Sequence, residues 1–385
     1  MMQELAEYLS GKGHYVTVIT SMPQPELVEH EAEINIHTEN VENSVKVIRV
    51  KMPFKIRKGY VHKALNQLSI STFFHRKIRK LVKGGIDTVI VYSPPLPLGL
   101  VGIKVKEFYG SNFLLNIQDI FPQNAIDLGI LKNKFLIKYF ESIERKIYRS
   151  ADKITVHIDG GKEYLISNKY IQKEKIFTVN NWIHFNDYEC VETNNIFRNK
   201  YGLENRFILL FAGIMGLSQN LDIIIEIAKN VADLRKVCFL IVGEGSEKKR
   251  LQNMVDNNGL QNVVFKGFVS KYDYPALAKE VDIGLVSLSP KNKTPVMPGK
   301  IQGFMAASLP IVAFLHNESD GHSIIKEAQC GYSVVPDNPK DAANLIRRVY
   351  SERNNLKRLG ENGYRYALQH FSKETCLGKL EQLIQ

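Results

Sequence analysis

Acidic residues are missing from one long stretch of this chain. Residues 43–86 hold twelve lysines and arginines (Lys46, Arg49, Lys51, Lys55, Arg57, Lys58, Lys63, Arg76, Lys77, Arg79, Lys80, Lys83) and no aspartate or glutamate, so the whole net charge of +11 resides there. Cysteine is scarce: Cys190, Cys238, Cys330 and Cys376 lie far apart with no CxxC pair, which argues against a disulfide framework or a zinc site and leaves reduced, structural thiols. No run reaches the roughly 18 apolar residues of a membrane span, and no signal peptide opens the chain, so the expected place is the cytoplasm. Internal repeats and low-complexity tracts are also missing.

What is present is an ordinary folding composition, with 44% hydrophobic residues in a chain of 385, too long for one ordinary core and suggestive of two domains. Leu5, Tyr8 and Leu9 share a helical face that Gly11 and Gly13 end, and 15–20 reads as a strand. An α/β unit normally has a strand before its first helix. That strand, with a glycine-bearing turn, is expected ahead of Met1. Val61, Leu65, Leu68, Phe74, Ile78 and Leu81 line one side of an amphipathic stretch whose other sides carry Arg76, Lys77, Arg79, Lys80 and Lys83. Strands follow at 88–92, 113–117, 153–157 and 177–179. A polar, irregular linker is expected at 184–195. Beyond it strands at 207–212, 239–242, 263–266, 283–288, 311–313 and 332–335 alternate with helices. The pattern predicts two doubly wound, Rossmann-like parallel sheets facing a cleft.

Ligands gather at the carboxyl ends of such strands. In the first half Gln118, Asp119, Ile120, Phe121 and Pro122 occupy such an end, with Asp159 and Gly160 able to cap a helix after the 153–157 strand. In the second half, turns at Gly213, Ile214, Met215, Gly216, at Gly243, Glu244, Gly245 and at Lys266, Gly267, Phe268, Val269 follow successive strands. Several such turns at one sheet edge point to a phosphate-bearing ligand. In 294–314, Pro298 suits a first helical turn and Gly299 keeps the backbone bare. Lys300 then adds a charge where the helix dipole already favours an anion. Small residues continue the helix to Pro310.

With these pieces assembled, the chain resembles the GT-B glycosyltransferases of family 4, and among them the WbuB-like enzymes of surface polysaccharide (O-antigen) synthesis. The resemblance rests on Asp119-Ile120-Phe121-Pro122 with Asn124-Ala125, on Asn181-Trp182, and on Phe211-Ala212-Gly213 with Gln219-Asn220-Leu221-Asp222. Val242-Gly243-Glu244-Gly245, residues 264–269, and Pro298-Gly299-Lys300 with Met305-Ala306-Ala307 complete it. It implies three units: 1–187 for the acceptor, 188–367 for a nucleotide sugar, and 368–385 crossing back as a helix. It implies a retaining transfer of a sugar, such as N-acetylfucosamine, from a UDP-linked donor to a lipid-linked acceptor, without a cofactor or metal. Gly213, Met215 and Gly216 would lie against diphosphate and sugar, Gly245, Phe268 and Val269 near the base, and Pro298, Gly299 and Lys300 near the phosphates. Gly243, Glu244, Gln219 and Gln302 complete the expected donor site, with Lys300 and Asp119 as catalytic residues.

The chain departs from the family where an arginine and a lysine are replaced by Ile214 and Gln219, which leaves Lys300 as the main cation. The family's paired glutamates would fall at Pro295 and Gly303, and Gln302 is the expected substitute contact for a sugar or ribose hydroxyl. Asp119 reads either as a cleft contact or as a strand-end helix cap, Glu244 as a donor contact or a solvated turn, and Trp182 as interface packing or a stacking platform. His157 reads as a core histidine or a catalytic one, and His184 and His322 as surface residues. Lys55, Arg57, Lys58, Arg76, Lys77, Arg79 and Lys80 form an expected acceptor and membrane face, peripheral on the inner side of the cell membrane. A GT-B sugar-nucleotide epimerase and a nucleic-acid-binding protein are the alternatives, though aromatic-studded RNA-binding signatures are absent.

Overall fold

The computed structural model describes residues 1–22, 37–52, 60–189, 191, 193–336 and 338–384, and over 60–68 the backbone alone. In the first half the strands are β1 (Thr17–Ser21), β2 (Glu39–Glu42), β3 (Val45–Val50), β4 (Thr88–Ser93), β5 (Asn112–Ile117), β6 (Lys153–Val156) and β7 (Ile176–Thr178). β1 runs parallel to β3, and β2 pairs antiparallel on its other side. β4, β5, β6 and β7 form a second sheet, parallel throughout. β1 and β4 are edges of their respective sheets. Val16 and Ile90, beside and within these edges, share one apolar cluster with Leu5, Leu9, Trp182 and Leu377.

The second half holds β8 (Phe207–Ala212), β9 (Val237–Val242), β10 (Val263–Lys266), β11 (Ile283–Ser287), β12 (Ile311–Phe314) and β13 (Gly331–Val334). They form one sheet in the order β10-β9-β8-β11-β12-β13, every pair parallel. β9 and β11 are buried at each residue, which is why their sequences VCFLIV and IGLVS lack the alternation of a half-exposed strand. Helices Asp222–Asn230 and Pro339–Ser351 cover one face through Ile224, Ile227, Ile346 and Val349. Helices Gly299–Ala306 and Leu356–Phe371 cover the other with Ile301, Phe304, Met305 and Phe371. From β8 the chain winds outward through β9 to β10, then returns to add β11 on the opposite side. That reversal opens a crevice outside the carboxyl ends of β8 and β11.

The last helix, Lys373–Glu381, packs Cys376, Leu377 and Leu380 against Leu5 and Leu9 of the first helix, Met2–Gly11. Tyr8 donates to Glu381 Oε2 at 3.0 Å, and Lys153 Nζ to the Leu383 carbonyl at 2.6 Å. Trp182 belongs to this seam: its ring is buried and its Nε1 donates to Glu4 Oε2 at 2.6 Å. His184 also pairs with Glu4 and is half-buried, and His322 Nδ1 lies 2.8 Å from Ser333 Oγ, so neither is the free surface residue expected. Their partners lie 180 and 11 residues away, which local polarity does not reveal. The expected irregular linker contains a short helix, Asn186–Glu189, because Tyr188 has an apolar pocket to fill.

The basic stretch divides. Lys55, Arg57 and Lys58 lie outside the described residues. Arg49 is spent on Glu42, Nη2 to Oε1 at 2.7 Å, and Lys46 reaches the Leu81 carbonyl at 3.4 Å. On helix Tyr60–Leu81, Phe74 and Ile78 pack against Val101 and Val105, while Arg76, Lys80 and the following Lys83 are exposed. Arg79 lies over the Phe108 ring at 4.5 Å, and Lys77 is half-buried.

Candidate functional site

Two glycine-bearing turns meet beside the point where the second sheet reverses. The Gly213 amide donates to the Val242 carbonyl at 2.9 Å and the Met215 amide to the Glu244 carbonyl at 2.8 Å, lacing the turn after β8 to that after β9. This lacing demands glycine. A Cβ on Gly243 would come within 2.1 Å of the Gly213 carbonyl oxygen, and one on Gly245 within 2.3 Å of the Met215 oxygen. Both also sit at positive φ, +136° and +156°, where L side chains are strained. Backbone thus forms the wall beside β8.

Lys300 faces that wall. Its Cε would lie 2.9 Å from a Cβ at Gly213, its Nζ is 4.9 Å from the Phe211 ring centre, and it donates to Gln219 Oε1 at 2.7 Å. Pro298 is the N-cap of helix Gly299–Ala306 and offers no side-chain cap, so the first-turn amides lack a side-chain partner from that position. No carboxylate pairs with Lys300 among the described residues. Burial therefore lowers its ammonium from 10.5 to about 8. An ammonium held by a neutral amide and an aromatic face, beside a helix start, gains most from an anion.

Asp119 stands at the carboxyl end of β5. Its residue surface is open to water, yet protein crowds it on most sides, as on the floor of a cleft, and this desolvation raises its carboxyl above the usual range. Its carboxylate does not cap the helix that follows: helix Gln123–Asp127 has Pro122 at its N-cap and no side-chain cap bond. Nearby, Asn116, Gln118, Asn181 and Gln302 form a relay of amides between the halves. Gln118 Nε2 donates to Asn116 Oδ1 at 2.6 Å, Asn181 Nδ2 to Gln118 Oε1 at 2.7 Å, and Gln302 Nε2 to the Asn181 carbonyl at 2.7 Å. Two further bonds join the halves. Asp320 Oδ1 accepts from the Gly160 amide at 3.1 Å, and Asp127 Oδ2 from the Lys293 amide at 2.9 Å.

Comparison with known proteins gives the family and the fold. The family model described as Glycosyltransferase Family 4 matches residues 1–186, and that of glycosyl transferases group 1 matches 193–366. The chain belongs to glycosyltransferase family 4. The glycosyl transferase named WcaI, for colanic acid biosynthesis in Escherichia coli strain K12, is 26% identical over 315 residues, 79% of this chain and 76% of its own. Sucrose-phosphate synthase from Thermosynechococcus elongatus superposes with a TM-score of 0.74 at 17% identity, over 99% of this chain and 91% of that one. Anabaena HepE in complex with UDP-glucose superposes at 0.67 and 16% identity, over 89% and 86%. These likenesses establish the GT-B fold of this family 4 glycosyltransferase.

Within the glycosyltransferase the expected donor residues separate. Gly213, Gly243, Gly245, Gln219, Pro298, Gly299 and Lys300 come together around β8 and the helix start. Gly216 instead helps line a cavity of about 200 Å³ with Leu128, Asn220 and Arg250, which includes neither Lys300 nor Asp119. Phe268 is exposed, and Val269 packs partly into the core. The Met215 side chain is buried among Phe211 and Ile224, so only its backbone faces the turns. Glu244 is ion-paired with Lys248, Oε1 to Nζ at 2.6 Å, four residues on at the start of the next helix. Gln302 is 5% exposed with its amide nitrogen committed to Asn181, and serves the contact between halves. His157 is buried, which lowers it to about 4, and its Nδ1 finds no partner among the described residues. Asp159 accepts from Thr178 Oγ1 at 2.6 Å, while the Gly160 amide finds its acceptor in Asp320, 160 residues away. Sequence reading missed Asp320 because no local pattern marks so distant a cap. It also missed Tyr188 and Tyr274, whose hydroxyls lie 3.6 and 3.8 Å from where a Gly303 Cβ would be. The absence of a side chain at Gly303 was the available signal.

Proposed function

We propose that this enzyme transfers a sugar, with retention, from a UDP-linked donor to a lipid-linked acceptor in polysaccharide synthesis. The observation that carries the reading is Lys300, a cation with no carboxylate partner among the described residues, set against a backbone wall and a helix start. A departing diphosphate gathers negative charge as the glycosidic bond breaks. Lys300 and the first-turn amides of helix Gly299–Ala306 stabilise that charge, and they do so most strongly in a closed cleft that excludes water. In this reading the leaving diphosphate assists the incoming hydroxyl on the same face of the sugar, so the enzyme supplies no covalent nucleophile. Asp119 then orients the acceptor hydroxyl from the opposite wall, its raised carboxyl suited to sharing a proton. Units 1–187, 188–367 and 368–385 serve as acceptor half, donor half and connecting helix.

The name of WcaI and the UDP-glucose in HepE support polysaccharide chemistry and a UDP donor; N-acetylfucosamine is the specific sugar proposed. Arg76, Lys80 and Lys83 support a peripheral place on an anionic membrane. Incubation with labelled UDP-sugars, with and without a lipid-diphosphate acceptor, tests the whole. Transfer only when acceptor is present supports it, and conversion of the free sugar nucleotide into its epimer refutes it. Lys300→Ala should lower turnover roughly a hundredfold while changing UDP affinity far less.

A further inference from the structure

The helix Lys134–Ser150 is two different helices end to end. Its second half is ordinary, burying Ile143, Ile147 and Tyr148 in the first-half core. Its start is not. Phe135 is 86% exposed, Leu136 49%, Tyr139 47%, and Ile130 in the preceding turn 67%. Lys132, Lys134 and Lys138 are exposed among them, and from Leu128 to Phe140 there is no acidic residue. Asn133 fixes this end as helix, its side chain accepting from the Phe135 and Leu136 amides at 3.0 and 3.2 Å. Apolar side chains at such spacing normally cover a core. Here they are displayed on a capped, ordered helix end.

We propose that this helix end enters the headgroup and upper acyl region of an anionic bilayer, a proposal that rests on the reading of the acceptor as lipid-linked. Lysines interleaved with aromatic and aliphatic side chains match such an interface, with ammonium groups at the phosphates and rings below them. A second copy of the chain fits less well: a self-complementary contact here would bring two sets of three lysines together, with the half-buried Glu141 of each copy beside them. The position also suits the chemistry. The rings of Tyr139 and Phe140 are centred 5.4 Å apart, Phe140 and Phe121 5.1 Å apart, and the Phe121 amide donates to the Asp119 carbonyl at 3.0 Å. A row of three rings thus runs from the displayed helix end to the Asp119 segment. An acceptor anchored by its hydrocarbon in the bilayer would present its diphosphate sugar to Asp119 without leaving the membrane. This surface is separate from the basic helix Tyr60–Leu81 and does a different task, since insertion depends on apolar area and the basic face on charge.

The test uses the whole chain and phosphatidylcholine vesicles with and without phosphatidylglycerol. In Phe135→Trp, after subtraction of the Trp182 signal, emission should shift to the blue on mixing with phosphatidylglycerol vesicles and be quenched by bromines on the upper acyl chain. Phe135→Ser with Leu136→Ser should lower partitioning roughly a hundredfold, about tenfold for each side chain. It should raise KM for a vesicle-held acceptor while leaving UDP affinity and turnover on a short, water-soluble acceptor unchanged; those two readouts also show that the variant folds. Three results would overturn the proposal. If the double variant binds vesicles like the parent while Arg76, Lys77, Arg79 and Lys80 to Gln abolishes binding, the protein is peripheral but this helix end is not its insert. If no vesicle binds the parent although transfer to a soluble acceptor proceeds, the membrane reading fails along with it. If the parent is a dimer that the double variant splits, a second copy covers the face.

Discussion

The two halves present their strand ends differently. At the second-half crevice, the wall is backbone: Gly213, Gly243 and Gly245 are held where a side chain would clash or strain, and Lys300 beside them has a neutral partner. At the first-half wall stands Asp119, a carboxylate that does not cap the helix after it and is crowded by protein while still open to water. Each of these two walls therefore holds an ion in a costly setting, and the two have opposite sign. Burial pulls Lys300 down and pushes Asp119 up, so both move toward neutrality. An arrangement that withholds partners from its own ions suits ligands that bring the missing charge or proton.

The severest way to break this contrast is to give the backbone wall a side chain. Gly243→Ala must move the Gly213 carbonyl or the turn itself, and should cost more than about 2 kcal/mol of stability along with most UDP affinity. Thermal unfolding with and without UDP checks both; a variant with the parent's melting point and affinity would show that the lacing is slack. Next comes the opposite wall. Asp119→Asn should reduce turnover roughly tenfold to a hundredfold with UDP affinity intact, because the group is assigned to the acceptor. Loss of UDP binding instead would move Asp119 to the donor side.

The charge itself gives a smaller, graded effect. Free enzyme loses the Lys300 proton as pH rises through about 8, whereas bound diphosphate favours the charged form. UDP affinity should then decline above pH 8, by no more in total than Lys300→Ala itself changes it, and be flat below 8 as far as this group matters. Stability of the ligand-free protein should move the other way between about 8 and 10.5, since there the unfolded chain binds the proton that the folded one has lost. Lys300→Met should remove both trends, as titration calorimetry and melting across that range would reveal. The least effect is expected at the relay between the halves. Gln302→Leu breaks one bond to the Asn181 carbonyl and should lower stability by about 1 kcal/mol, with UDP affinity nearly unchanged. A large loss of UDP affinity would return Gln302 to the donor site.

Much of the second half was legible from its residues. Continuous apolar runs such as VCFLIV announce strands covered on both faces, and glycine turns after them mark one sheet edge. The position of Lys300 at a helix start followed from Pro298 and Gly299. Glu244 and Gln302 show where such reading stops. Both are polar residues at the right edge, but whether a side chain turns toward the cleft depends on the nearest competing partner. Lys248 lies four residues on from Glu244, and the Asn181 carbonyl is supplied by the other half.

By itself, the sequence determined the α/β class, the strand ends that carry the turns, the surplus of positive charge and the cation at Lys300. These follow from local periodicity, backbone restriction and composition, which need no distant contact. Only the tertiary structure decided the lacing of Gly213 to Gly243, the Asp320 cap on the Gly160 amide and the relay from Asn116 to Gln302. It also decided that Phe135 and Leu136 remain uncovered when Ile143 and Ile147, on the same helix, are packed. The physical reason is that hydrogen-bond partners and burial belong to pairs of segments brought together by the fold, and a residue's own neighbours in the chain do not say which segment will meet it.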